Sequence, residues 1–210
     1  MKRYRTPREV LAEVVQVLSA KTQAPGRDAP LQGVVDSLAS GRHYFWTAIY
    51  LVIGERVLLH AAQGPSCSRP VVKLGEGIVG TVTESGTYVL APDVAQNRDY
   101  LRAFPETRSE LAVPIKIGSH VLGVINLEHT QTHGLSTEDR VLAEEVAQQL
   151  ARFLSGRGKY VLMKAREAAL PAAQAPSSPP DESGLNALKP ARAVAAPAGH
   201  PVAVGDPARK

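Results

Sequence analysis

Glu110 and Glu128 are the two carboxylates best placed in this sequence to do chemistry. Each sits at the end of an apolar, β-branched run, in Ser109-Glu110-Leu111 and Leu127-Glu128-His129, where a strand would hold it at the edge of a dry interior. Two carboxylates meeting in a partly desolvated place repel each other, so they hold a proton or attract a cation. Exposed or salt-bridged surface residues, with Arg108 as a ready partner, are an equal alternative. Trp46 and Tyr50 lie four residues apart in Phe45-Trp46-Thr47-Ala48-Ile49-Tyr50. A strand places both on one side, as core packing or as an aromatic pocket wall with polar tips.

Three other features have simpler readings. Cys67 is the sole cysteine and the candidate redox residue, yet an inert loop thiol is the better reading, with Arg69 near enough to favour the thiolate modestly. His129 and His133, beside Glu128, have i, i+4 spacing. They leave a strand for a loop rather than share a helix face, so no metal site is expected. Gly75-Glu76-Gly77-Ile78-Val79-Gly80 lacks the Gly-Lys-Ser/Thr ending of a phosphate loop. Its glycines suit a turn and close helix packing, although a helix starting at Ile78, Val79 and Gly80 would present amides to an anionic ligand group.

The elements that must position these residues follow from local pattern. Thr6-Pro7-Arg8-Glu9 is a capping box with proline at the first helical position, and apolar residues recur at helical spacing to about residue 21. Pro25 and Gly26 break the chain before a second helix over residues 30–38. Strands are predicted at 45–53, 56–62, 70–74, 88–91, 110–117 and 120–127, with turns at Gly54-Glu55 and Gly118-Ser119. Residues 75–84 read as a glycine-led turn into a short helix. Ser136 caps a last long helix over 137–154, stopped by Gly156. Helices at both ends of an antiparallel strand run predict an α+β fold, the terminal helices on one face of the sheet. The connections 63–68 and 93–108 would cover the other face and leave a pocket there.

Composition divides the chain at residue 156. Residues 157–210 carry eight basic and four acidic residues, so the net charge of +4 resides there, while residues 1–156 balance with sixteen of each. A charge-balanced folded part has no general attraction for phosphate backbones, so no nucleic acid is expected. No apolar run is long enough to cross a bilayer, and Glu13 and Gln16 interrupt any leader-like core, so no membrane association and a cytoplasmic location are expected. A single cysteine agrees with a reducing compartment. Beyond a weakly helical stretch at 160–170, the Ala/Pro-rich tail cannot bury enough apolar surface to order itself. The expected organisation is a domain over 1–156 and a disordered tail over 157–210 that is dispensable for folding.

The segments GEGIVGTVTESGTYVLAPDV, RSELAVPIKIGSHVLGVINLEH and LSTEDRVLAEEVAQQLA together resemble the second half of a GAF domain, and the resemblance covers residues 7–154. It implies a GAF-like antiparallel sheet and a ligand pocket, without naming a ligand. Among GAF proteins the chain resembles the free methionine-(R)-sulfoxide reductases better than most. Trp46 and Tyr50 match aromatic residues lining their pocket, Cys67 matches one of three cysteines, and Glu110 and Glu128 match acidic residues holding the substrate amino group. The other two cysteines would fall at Val79 and about Ala103, and a third acidic residue is replaced by Asn126. Sulfoxide reduction needs an attacking thiolate and a resolving thiol, so that activity is not expected. The cyclic-nucleotide signature fails at Arg108 and Ser109, where its acidic pair belongs. Bilin attachment uses a cysteine in a later loop than Cys67.

The resulting expectation is a non-catalytic, small-molecule-binding GAF sensor without a cofactor. It would hold a small polar metabolite, an amino acid or amine, on Trp46, Tyr50, Ile78, Val79, Gly80, Glu110, Asn126 and Glu128. With no output module in these residues, it would signal through an effector protein. Apolar stripes at Val10, Val14, Val17, Val141 and Leu150 suggest a homodimer through the terminal helices. The alternatives are a diverged reductase and an interaction module with a vestigial pocket.

Overall fold

The computed structural model describes residues 4–20 and 29–173; the Pro25-Gly26 break and the tail beyond residue 173 lie outside them. The elements are α1 (Pro7–Ser19), α2 (Ala29–Ala39), β1 (Trp46–Ile53), β2 (Arg56–Gln63), β3 (Val71–Lys73), α3 (Gly77–Ser85), β4 (Val89–Ala91), β5 (Ser109–Ile117), β6 (His120–His129), α4 (Thr137–Ser155) and α5 (Lys159–Ala173), with a 3-10 turn at Val94–Gln96. The strands form one antiparallel sheet in the order β3-β2-β1-β6-β5-β4. The first and last strands therefore meet at its centre.

Period-two alternation sorts the central strands into two cores. Ile49, Leu51, Leu111, Val113, Ile125 and Leu127 face the helices, while Trp46, Ala48, Tyr50, Ala112 and Val124 face the other way. On the helical side α2 lies against β1 and β2, α4 against β5 and β6, and α5 against β1. The opposite face is covered by more than loops, because α3 packs over β5, β6 and β2 and contributes Ile78, Val79 and Val82 to the second core.

Both predicted caps form. Thr6 and Glu9 make a capping box at α1, and Ser136 and Asp139 make another at α4. The apolar stripes named for a dimer have a different use within one chain. α1 rests on α2 and α4, which buries Val10 and Val14 completely, and Leu150 is equally buried in α4. Val141 stays exposed. The packed part of the chain also runs past the expected limit at Gly156. α5 starts three residues later, packs on α4 and β1, and buries Val161 and Leu162.

A buried polar clasp, invisible to pattern reading, ties the ends of this layer together. Arg42, 5% exposed, pairs with Asp139 at the start of α4 and reaches Glu138 at 3.0 Å and the Arg5 carbonyl at 3.1 Å. The Tyr44 hydroxyl donates to Asp139 at 2.6 Å, and the Arg42 guanidinium lies 4.5 Å from the Tyr4 ring centre. Burial by itself would raise the Asp139 carboxyl, but hydrogen bonds from Ser136, Tyr44 and Arg42 outweigh it and hold the group below its ordinary range.

Candidate functional site

Glu110 and Glu128 are cross-strand partners, side by side on the face away from the terminal helices. Counting back from the Gly118-Ser119 turn would pair Glu110 with Leu127 and put the two carboxylates on opposite faces. A bulge between Ile115 and Lys116 shifts the register by one residue, and a one-residue slip exchanges faces. That bulge creates the pair. On the other side of β6, Trp46 stands opposite Glu128 and Ala48 opposite Asn126, so the three central strands present Trp46, Glu128 and Glu110 in a row.

Both glutamates are almost fully buried, Glu110 at 5% and Glu128 at 3% exposure, and among the described residues neither forms an ion pair. The Thr107 hydroxyl donates to one Glu128 oxygen and the Asn126 amide nitrogen to the other, the latter at 3.2 Å. Burial raises the Glu128 carboxyl, these two donors offset part of the effect, and the group settles at about 7. Glu110 is raised well above the ordinary range by its burial and by the charge of Glu128, with a smaller opposing contribution from a hydrogen bond with Asn126. Burial and mutual repulsion thus favour a proton on the pair near neutral pH.

A recess of about 30 Å³ opens onto this pair. Of the residues predicted from sequence, Tyr50, Ile78, Val79, Glu110, Asn126 and Glu128 line it. Trp46 adjoins through Glu128, its ring 4.9 Å from that of Phe104. Gly80 does not line it. Its N–H donates to the Glu76 carbonyl at 3.1 Å, and a side chain there would run into the Lys73 carbonyl and the Gly75 backbone, so the residue serves helix packing. Gly75 and Gly77 adopt φ of +72° and +68°, the turn role expected of the motif.

The 93–108 connection closes the recess from above. Leu101 and Ala103 line it, and the Ser68 hydroxyl donates to the Ala103 carbonyl at 2.9 Å, joining this connection to the one carrying Cys67. Nearby, burial raises the Tyr100 hydroxyl, helped by the two glutamates, to about 12. Cys67 is half-buried, its sulfur 3.9 Å from the Tyr50 hydroxyl and accepting the Arg69 N–H at 3.4 Å. Val79 and Ala103, where reductase-like cysteines would fall, both line the recess and bring no sulfur to it. Sequence reasoning missed Thr107, Leu101 and Phe104, which lie in irregular chain where no periodicity marks an inward side chain.

His129 is engaged locally, accepting the Gln131 N–H at 3.0 Å on Nδ1. Among the described residues no three His, Cys, Asp or Glu side chains are grouped to hold a metal ion. No helix there is long and apolar enough to cross a membrane.

The GAF domain model matches residues 7–154. The chain belongs to the GAF domain family. It is similar to GAF domain-containing protein A of Dictyostelium discoideum, at 25% identity over 124 residues, covering 58% of this chain and 77% of the relative. Among solved structures it resembles the free methionine-R-sulfoxide reductase of Neisseria meningitidis in complex with its substrate, at 22% identity and a TM-score of 0.67, over 79% of this chain and 99% of that one. It also resembles the GAF domain of an Acinetobacter phosphoenolpyruvate-protein phosphotransferase, at 22% identity and a TM-score of 0.61, over 70% and 90%. At these identities the structures establish the GAF fold alone.

Proposed function

We propose that this GAF domain is a non-catalytic sensor of a small amine or zwitterion, an amino acid among the first candidates. The observation that carries the reading is the pair of adjacent, buried carboxylates, neither of which forms an ion pair among the described residues, although Arg69 also lines the recess. An ammonium group supplies the missing charge together with hydrogen-bond donors. Trp46 and Tyr50 add aromatic surface, worth about 0.5–2 kcal/mol against a cation whose position over a ring is favourable. The first turn of α3, with Ile78 and Val79 on the recess, offers amides without helical partners to a carboxylate.

A recess of about 30 Å³ is far below the roughly 300–1,000 Å³ of sites that enclose whole ligands. It accommodates a ligand's head group, and a larger body requires the 93–108 connection to lift. That motion is the natural signal, passed to an effector or to a second copy of this chain. Light scattering at micromolar concentration tests the second copy, and a monomer mass rejects it. The similarity to a reductase solved with its substrate supports small-molecule binding in this fold. Thiol chemistry is less well supported, because Cys67 is the only sulfur nucleophile in the sequence and a resolving thiol is needed.

The decisive experiment is a thermal-shift screen against amino acids, simple amines and nucleotides, followed by calorimetry on hits. A hydrogen bond to a charged group contributes about 1.5–3 kcal/mol, so Glu128→Gln should weaken amine binding by roughly ten- to a hundredfold. Tight binding of a nucleotide that is indifferent to both glutamates would reject the reading.

A further inference from the structure

We propose that the recess selects a primary ammonium head, with Asn126 as the residue that sets this selectivity; the inference rests on the amine-binding reading above. Asn126 is 2% exposed and lines the recess. Its amide nitrogen is committed to Glu128 at 3.2 Å, which fixes the orientation of the group. Its Oδ1 is buried and has no hydrogen-bond partner, although buried acceptors are rarely left so. An unmet acceptor lying next to two carboxylates calls for one more donor. Glu110, Glu128 and Asn126 Oδ1 then make three acceptors around one small space, and a primary ammonium brings three N–H donors.

Quaternary ammonium groups are recognised by aromatic faces with no need for acceptors. Here the two carboxylates and Asn126 Oδ1 are acceptors, and each added methyl leaves one of them unsatisfied. The carbon attached to nitrogen would leave toward Arg69 and the Leu101–Ala103 side, where the recess meets the covering connections.

The test is a graded methylation series on the intact protein. Ethanolamine, its N-methyl and N,N-dimethyl derivatives and choline are titrated, with glycine, sarcosine, N,N-dimethylglycine and betaine in parallel. Trp46, the single tryptophan and the cross-strand neighbour of Glu128, reports occupancy through its indole N–H resonance and fluorescence. Affinity should drop about tenfold with the first methyl, as expected for one lost hydrogen bond to a charged group, and the trimethylated compounds should not bind. Asn126→Leu should flatten the series, whereas Asn126→Asp, which keeps an acceptor, should preserve it. Choline or betaine binding within about twofold of its parent would overturn the selectivity while leaving amine binding intact. Failure of both parents to bind also overturns it, because a head-group recess should seat either one. If no amine of the series or of the wider screen binds, the sensor reading itself falls. Should Asn126→Leu not fold, the series on the unaltered protein still decides.

Discussion

The two glutamates share a sheet face and nearly the same burial, yet they are not equivalent. Glu128 receives hydrogen bonds from Thr107 and Asn126 on its two oxygens, which stabilise its charge, whereas Glu110 faces burial and the neighbouring charge with less help. Thr107→Val keeps the shape and removes one donor. A hydrogen bond to a charged group contributes about 1.5–3 kcal/mol, so the Glu128 titration, followed by carboxyl carbon NMR, should rise by roughly one unit or more. An unchanged midpoint would mean that Thr107 does not bond the carboxylate in solution. The same asymmetry gives ligand binding a pH dependence. The free pair keeps a proton near pH 7, and an ammonium favours both carboxylates ionised, so binding should release up to one proton. Amine affinity should therefore increase as pH rises through about 7, and calorimetry in buffers of different ionisation enthalpy counts the protons.

At the scale of elements, α5 and the Arg42 clasp make the sharpest predictions. Val161 and Leu162 are buried at 1% and 9% exposure, and burying such a side chain contributes about 1.5–3 kcal/mol. Ending the chain after Gly156 removes both and uncovers part of β1. At about 2–4 °C per kcal/mol for a domain of this size, the melting temperature should fall by on the order of 10 °C. Ending it after Ala173 should change it by no more than a few degrees, as expected of an Ala/Pro-rich segment with little to bury. Equal melting temperatures for the two truncations would show that α5 adds nothing to the core. In the clasp, Arg42→Met leaves Asp139 buried without its cation. Removing one partner of a buried pair costs about 3–5 kcal/mol, here toward the low end because Ser136 and Tyr44 still donate to Asp139. Chemical denaturation measures this loss.

For the whole molecule, ligand-free stability should fall as pH rises across neutrality. Glu128 is raised from an ordinary 4.5 to about 7 and Glu110 is also raised well above its ordinary value, so from about pH 4.5 through about 7 the folded state binds more protons than the unfolded state. Stability then declines with pH, beginning near pH 4.5 and continuing through about 7. Asp139, depressed in the fold, acts in the opposite sense, and its contribution is lost as pH falls below about 4. The melting temperature should peak near pH 5 and drop by several degrees by pH 8, on the order of 2–4 °C per kcal/mol. Replacing both glutamates by glutamine should flatten the decline, and a bound amine should counter it at pH 8. A rising profile over this range would contradict the buried, uncompensated pair.

Much of this architecture was legible in the chain because it is local. Capping at Thr6 and Ser136 depends on residues three apart, and the two faces of β1, β5 and β6 follow from period-two alternation within each strand. Glu110, Glu128, Trp46 and Tyr50 could be singled out because polar or amphipathic side chains sit in otherwise apolar strands. What the sequence could not decide was their meeting. Turn counting alone separates the glutamates, and only the β5–β6 bulge turns them to one face. The inward side chains of the 93–108 connection and the burial of Arg42 were equally hidden, because irregular chain carries no period and a charged residue becomes buried only when distant partners converge on it. Local pattern specified the elements and the candidates, and long-range packing specified which candidates share a site.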